Sequence, residues 1–78
     1  MTELKELLSR ILNIDAESIN DESSPENIDS WDSFNGLMLV SELENNFNVK
    51  FTMEEVLAVK KVSDIKNALK AHGIKEGI

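Results

Sequence analysis

The chain has 78 residues, no cysteine, 41% apolar residues and a formal net charge of −7. That size gives one domain, residues 1–78, near the lower limit of what a single hydrophobic core stabilises, and without cysteine neither a disulfide nor a thiolate zinc site can reinforce it. No run approaches the ~18 apolar residues of a membrane span. Glu3, Lys5, Glu6 and Arg10 among the first leucines do not fit a secretory leader, so a cytoplasmic, monomeric protein without membrane insertion is expected.

Leu4, Leu7, Leu8, Ile11 and Leu12 recur at helical spacing and predict a first helix over residues 2–13, with Thr2 as N-cap, Glu3 in the first turn and Asn13 closing it. Residues 14–31 have no sustained period and are rich in Asp, Glu, Ser and Asn. Loops this long are uncommon in compact domains unless they are functional or pinned down. Ile14, Ile19 and Ile28 are spaced to tack the loop onto a core, Ser24-Pro25-Glu26 can start one helical turn, and the polar run from Asn20 to Asn27 reads as solvated surface.

The second helix is predicted over residues 32–47. At 100° per residue, Gly36, Leu39, Val40, Leu43 and Phe47 share one arc, the core face, while Phe34, Leu37, Met38 and Ser41 fall on another that should be exposed. Gly36 costs about 1 kcal/mol relative to Ala in a helix, so either a segment packs closely against it or the gap admits something into the core. Thr52-Met53-Glu54-Glu55 is a T-x-x-E capping box opening a short helix over residues 53–58. Val62, Ile65, Ala68, Leu69 and His72 mark a last helix over residues 62–72, with Lys66 and Lys70 towards its end and Gly73 stopping it. Residues 74–78 are expected to fray. The sum is an all-α, four-helix bundle.

Charge is uneven. Residues 15–55 hold eleven acids and one base, Lys50, while residues 56–78 carry five lysines against two acids. An acidic middle lacks the basic footprint that nucleic acid requires and suits partners with basic docking surfaces. The chain offers little for catalysis. His72 has no second histidine with which to share a metal, and nothing supplies the nucleophile elbow or oxyanion-hole glycines that a Ser-His-Asp triad needs. Asn35-Gly36 and Glu42 fit part of an EF-hand loop, but its first and third positions would be Trp31 and Ser33, which lack carboxylates. No metal site is expected.

What remains is Ser33, an exposed serine at a helix N-terminus beside a Phe-Leu-Met patch. Backbone N–H groups and the positive end of the helix dipole favour a phosphate there, so a phosphodiester on Ser33 would be well placed. Asp32 can cap the helix, and capping alone accounts for the Asp-Ser dipeptide.

Asp32-Ser33-Phe34, followed by Leu37, Leu39-Val40, Leu43-Glu44, Phe47 and Phe51, resembles the acyl carrier protein family. The family's pattern is Asp-Ser-Leu, then a helix ending in Leu-Glu-x-x-Phe and a further apolar residue four positions on. The likeness covers nearly the whole chain and needs no gap between Asp32 and Ile65. It implies the acyl carrier bundle and a protein that is not an enzyme. It also implies a 4′-phosphopantetheine arm placed on Ser33, next to the motif residue Asp32, by a phosphopantetheinyl transferase using coenzyme A. The arm would hold acyl groups as thioesters for acyl-loading and acyl-transfer enzymes. Phe34, Leu37, Met38, Ser41 and Glu44 would meet those partners, through basic or apolar docking surfaces. Gly36, Leu39 and Leu43 would lie at the mouth and wall of an acyl pocket. Phe34 replaces the usual leucine, Trp31 stands where carriers of fatty acid synthesis have a small residue, and Asn35, Met38 and Asn45 are neutral where those carriers are acidic. These departures point to a specialised lipid, polyketide or surface-polysaccharide pathway. An aminoacyl or peptidyl carrier, or an unmodified helical adaptor of the same fold, are the alternatives.

Overall fold

The structure, a computed structural model, describes residues 3–78. The regular structure in this range is helical: α1 (Glu3–Leu12), a single 3₁₀ turn (Ala16–Ser18), α2 (Ser33–Phe47), α3 (Met53–Ala58) and α4 (Val62–Ala71). The expected N-cap Thr2 lies outside the described residues. Among the described residues, no helix is long and apolar enough to cross a membrane.

The core is the set of side chains that helical periodicity selects, and it joins three of the four helices. Leu4, Leu7, Leu8 and Leu12 of α1 meet Leu39 and Leu43 of α2 and Val62, Ile65 and Leu69 of α4, with Ile19 and Trp31 sealing the cluster from the long loop. Ile14, Ile28, Phe47 and Phe51 pack half-buried around it. Buried apolar area of this kind is the main favourable contribution to folding. α3 is the exception, since none of its residues is buried.

Each helix end has a visible chemical cause. Asn13 closes α1 in the left-handed conformation (φ 55°) and Asn48 does the same for α2 (φ 56°), a role for which Asn follows only Gly. The Thr52 capping box forms as expected: Thr52 Oγ1 accepts from Glu55 N at 3.1 Å and Glu55 Oε1 accepts from Thr52 N at 2.8 Å. Gly73, at φ 87°, follows the C-cap residue His72, and Ile74 N donates back to the Leu69 carbonyl.

Two expectations are corrected. The stretch from Asn20 to Asn27 is more than solvated surface. α4 begins at Lys61 without a side-chain cap, and its first N–H groups are satisfied instead by the loop, Val62 N donating to the Ser23 carbonyl at 2.9 Å and Ser63 N to that of Asp21 at 3.0 Å. Ser23 is buried, and Asp21 and Glu22 pair with Lys66 and Lys61. The Lys66 ammonium bonded to Asp21 holds that carboxyl below its usual range. The Ser24-Pro25-Glu26 segment makes the single helical turn expected of it: Asn27 N and Ile28 N both donate to the Ser24 carbonyl, and Ser24 Oγ accepts from Glu26 N at 3.2 Å. The C-terminal segment does not fray. Ile74 and Ile78 pack on the core, and Leu4 N of α1 donates to the Gly77 carbonyl at 2.8 Å. Gly77 is required there: its φ is 81°, and a Cβ would come within 3.1 Å of Glu3 Oε2.

Candidate functional site

The site is built where the loop hands the chain to α2. Trp31 N donates to the Ile28 carbonyl, and the Trp31 side chain is buried, which fixes the end of the loop to the core. The next residue, Asp32, is extended (φ −103°, ψ −174°) and its Oδ1 accepts from Asn35 N at 2.9 Å, the geometry of an N-cap. Asn35 adds a tie of its own, donating through Nδ2 to the Ser30 carbonyl at 2.7 Å. Cap and tie together hold the first turn of α2 against the preceding segment.

Ser33 is therefore the first helical residue, and it is exposed. Asp32 accounts for the N–H groups of Asn35 and, through its carbonyl, Gly36. The N–H groups of Ser33 and Phe34 have no acceptor within the helix, as at any helix start. The arrangement is a free hydroxyl beside unpaired backbone donors at a dipole's positive end, which fits a phosphodiester attached to that hydroxyl.

Beside Ser33 opens a cleft of about 200 Å³ between α2, α3 and α4. Its rim includes Trp31, Ser33, Gly36 and Leu37, and its apolar walls are formed by Leu39 and Leu43 of α2, Val56 of α3, and Ile65 and Ala68 of α4. The three residues expected at an acyl pocket, Gly36, Leu39 and Leu43, all line it. Gly36 is not demanded by close packing: a Cβ there would meet only Trp31 Nε1, at 3.8 Å, an ordinary van der Waals contact. The bare glycine leaves space at the rim instead.

Phe34 (70% exposed), Leu37 (67%), Met38 and Ser41 lie outside the core, as the α2 periodicity predicts. Glu44, grouped with them by the family resemblance, is half-buried and closes the connection after α2, its Oε2 accepting from Phe51 N at 2.8 Å. Sequence reasoning missed α3's contribution. Met53 and Leu57 are exposed large apolar side chains four residues apart, and the capping box that fixes Met53 as the first helical residue was a sufficient signal to place both on one face. It also missed the fastening of α3. Glu55, which lines the cleft, holds His72 Nε2 at 2.8 Å, and Phe51 meets the His72 ring edge-on at 5.3 Å. The Thr52 N–H on the Glu55 carboxylate, aided by His72, keeps that carboxyl below its usual range against the opposing effect of burial.

Comparison with known proteins places the chain in a family. The family model described as "phosphopantetheine attachment site" matches residues 2–69. The chain belongs to that family. Its fold is the acyl carrier fold: a solved putative acyl carrier protein (Rv0033) from Mycobacterium tuberculosis superimposes with a TM-score of 0.80 at 22% identity, over 88% of this chain and 92% of that one. No curated protein matches the sequence. The cofactor of this carrier domain is covalent phosphopantetheine, and the exposed hydroxyl with its unpaired N–H groups fits the group's phosphate.

Proposed function

We propose that the chain is an acyl carrier protein that bears its phosphopantetheine on Ser33 Oγ. The observation that carries this reading is the position of Ser33: exposed, first in α2, beside free backbone donors and at the rim of an apolar cleft. When bound, the arm supplies a terminal thiol on which an acyl group is carried. The chain's own residues do the rest. Asp32 and Asn35 hold the helix start rigid, so that a phosphopantetheinyl transferase meets a fixed hydroxyl. Leu39, Leu43 and Ile65 offer a dry wall to hydrocarbon. Phe34, Leu37 and Met38, with Met53 and Leu57 from α3, present apolar surface to loading and transfer enzymes.

Two features favour a dedicated pathway over bulk fatty acid synthesis. The exposed face of α2 is apolar and carries Asn35, Met38 and Asn45 where acidic residues would serve strongly basic partners. Trp31, at the rim, narrows the range of chains the cleft can hold. The apolar lining favours acyl over aminoacyl cargo, which would bring an ammonium group to a wall without a free carboxylate, Glu55 being engaged.

Ser33→Ala tests the proposal in cells. A deletion phenotype rescued by the native gene should not be rescued by this variant, because no arm can be attached. Rescue by Ser33→Ala would show instead an unmodified adaptor acting through its helix faces.

A further inference from the structure

Besides the Ser33 hydroxyl, the cleft contains one polar group that nothing in the protein uses. Trp31 is only 7% exposed, it lines the cleft, and its Nε1–H has no hydrogen-bond partner among the described residues. The nitrogen itself is not fully buried, the fully buried side-chain polar atom without a partner among the described residues being Ser30 Oγ, so this donor stands open to whatever enters the cleft. The indole N–H is a donor and cannot accept, so its complement is an acceptor oxygen. Nε1 is the atom that lies 3.8 Å from where a Cβ on Gly36 would stand, so the missing methyl group leaves space at this donor.

The remaining polar side chain that lines the cleft, Glu55, is committed. Glu55 carries the Thr52 N–H on one oxygen and His72 Nε2 on the other. Beyond the rim the wall is hydrocarbon, from Leu39, Leu43, Ile65 and Ala68. The cleft thus offers one donor near Ser33 and apolar surface further in. A saturated chain would leave the indole N–H desolvated and unpaired, which is the costly case for a buried donor.

Resting on the carrier reading above, we propose that Trp31 is a positioning residue for oxygenated cargo. Its Nε1–H donates to an oxygen on the carried acyl chain just beyond the thioester, a β-hydroxy or β-oxo group, while the hydrocarbon remainder lies against Leu39 and Leu43. The cleft then prefers β-oxygenated acyl groups to saturated ones of equal length. A reaction that forms or consumes a β-oxygenated acyl group would supply or receive the cargo.

Trp31 is the only tryptophan, so its indole N–H gives one assignable proton–nitrogen signal. The protein is loaded from coenzyme A, from a saturated medium-chain acyl-coenzyme A and from its β-hydroxy counterpart, and intact mass confirms each product before its spectrum is taken. In the β-hydroxyacyl form the indole proton should move downfield and exchange with water about fivefold more slowly than in the saturated form, the factor typical of one net hydrogen bond. The form bearing the arm alone should resemble the unmodified protein. Trp31→Phe should abolish any difference in melting temperature between the two acyl forms. Equal indole responses to saturated and β-hydroxyacyl cargo, a full response to the arm alone, or no response in loaded protein would each overturn the proposal and leave the carrier reading intact. Failure to load at all would instead count against the carrier reading.

Discussion

Gly36→Ala separates the two explanations of a glycine in the first turns of α2. Were Gly36 there for close packing, an added methyl group would clash and the protein would lose stability. The structure predicts the reverse. A Cβ at this position meets nothing nearer than Trp31 Nε1 at 3.8 Å, and the residue's φ is not in the left-handed region, so the methyl group enters without strain. The gain is then the difference in helix propensity, about 1 kcal/mol, part of it from the reduced freedom of the unfolded chain. For a domain of this size that raises the melting temperature by about 4–8 °C, readable by circular dichroism of the unmodified protein. The same methyl group occupies the rim of the cleft, so the further stabilisation conferred by a bound acyl chain should shrink in the variant. A lower melting temperature for Gly36→Ala would refute the reasoning, because it would show a contact that the structure does not contain.

Other predictions follow from the fastening of α3. Thr52→Ala removes the side-chain acceptor for Glu55 N and should cost about 1 kcal/mol, measured by urea titration. Because α3 buries no residue, amide exchange in this variant should speed up most in residues 53–58 and little in α1. The Glu55 carboxyl is held below its ordinary value of 4.5 in the folded protein. Its contribution is therefore complete above the unfolded value and lost as pH falls through the lower folded value. Native protein should be more stable than Glu55→Gln at neutral pH, and the difference should vanish on acidification below 4.5; a difference independent of pH would contradict this.

The parts of the fold that were legible in the sequence are those written in side chains at fixed spacing. The leucines of α1, the Thr52-Glu55 box and the closing residues Asn13 and Gly73 all carry their meaning in residue type and position. The same holds at the site, where Asp32 is the cap and Ser33 the exposed first residue of α2. What was not legible is carried by backbone atoms. The Ser23 and Asp21 carbonyls cap α4, and the Gly77 carbonyl takes the Leu4 N–H, and a carbonyl is the same on every residue. The surroundings of Glu44, which the resemblance groups with the partner-facing residues, were not legible for a related reason: the chain returns after Phe47 and offers Phe51 N to its carboxylate. The unpaired donor on Trp31 is a relation between a loop side chain and a helical glycine five residues on, visible only once both line one cleft.

The central claim is that Ser33 Oγ is the attachment point. It is tested most directly by intact mass spectrometry after incubation with coenzyme A, magnesium and a broad-specificity phosphopantetheinyl transferase, followed by peptide mapping. The account predicts a gain of one phosphopantetheinyl group, located on Ser33 and absent from Ser33→Ala. A folded protein that gains no mass with more than one transferase, or that gains it on another residue, would contradict it.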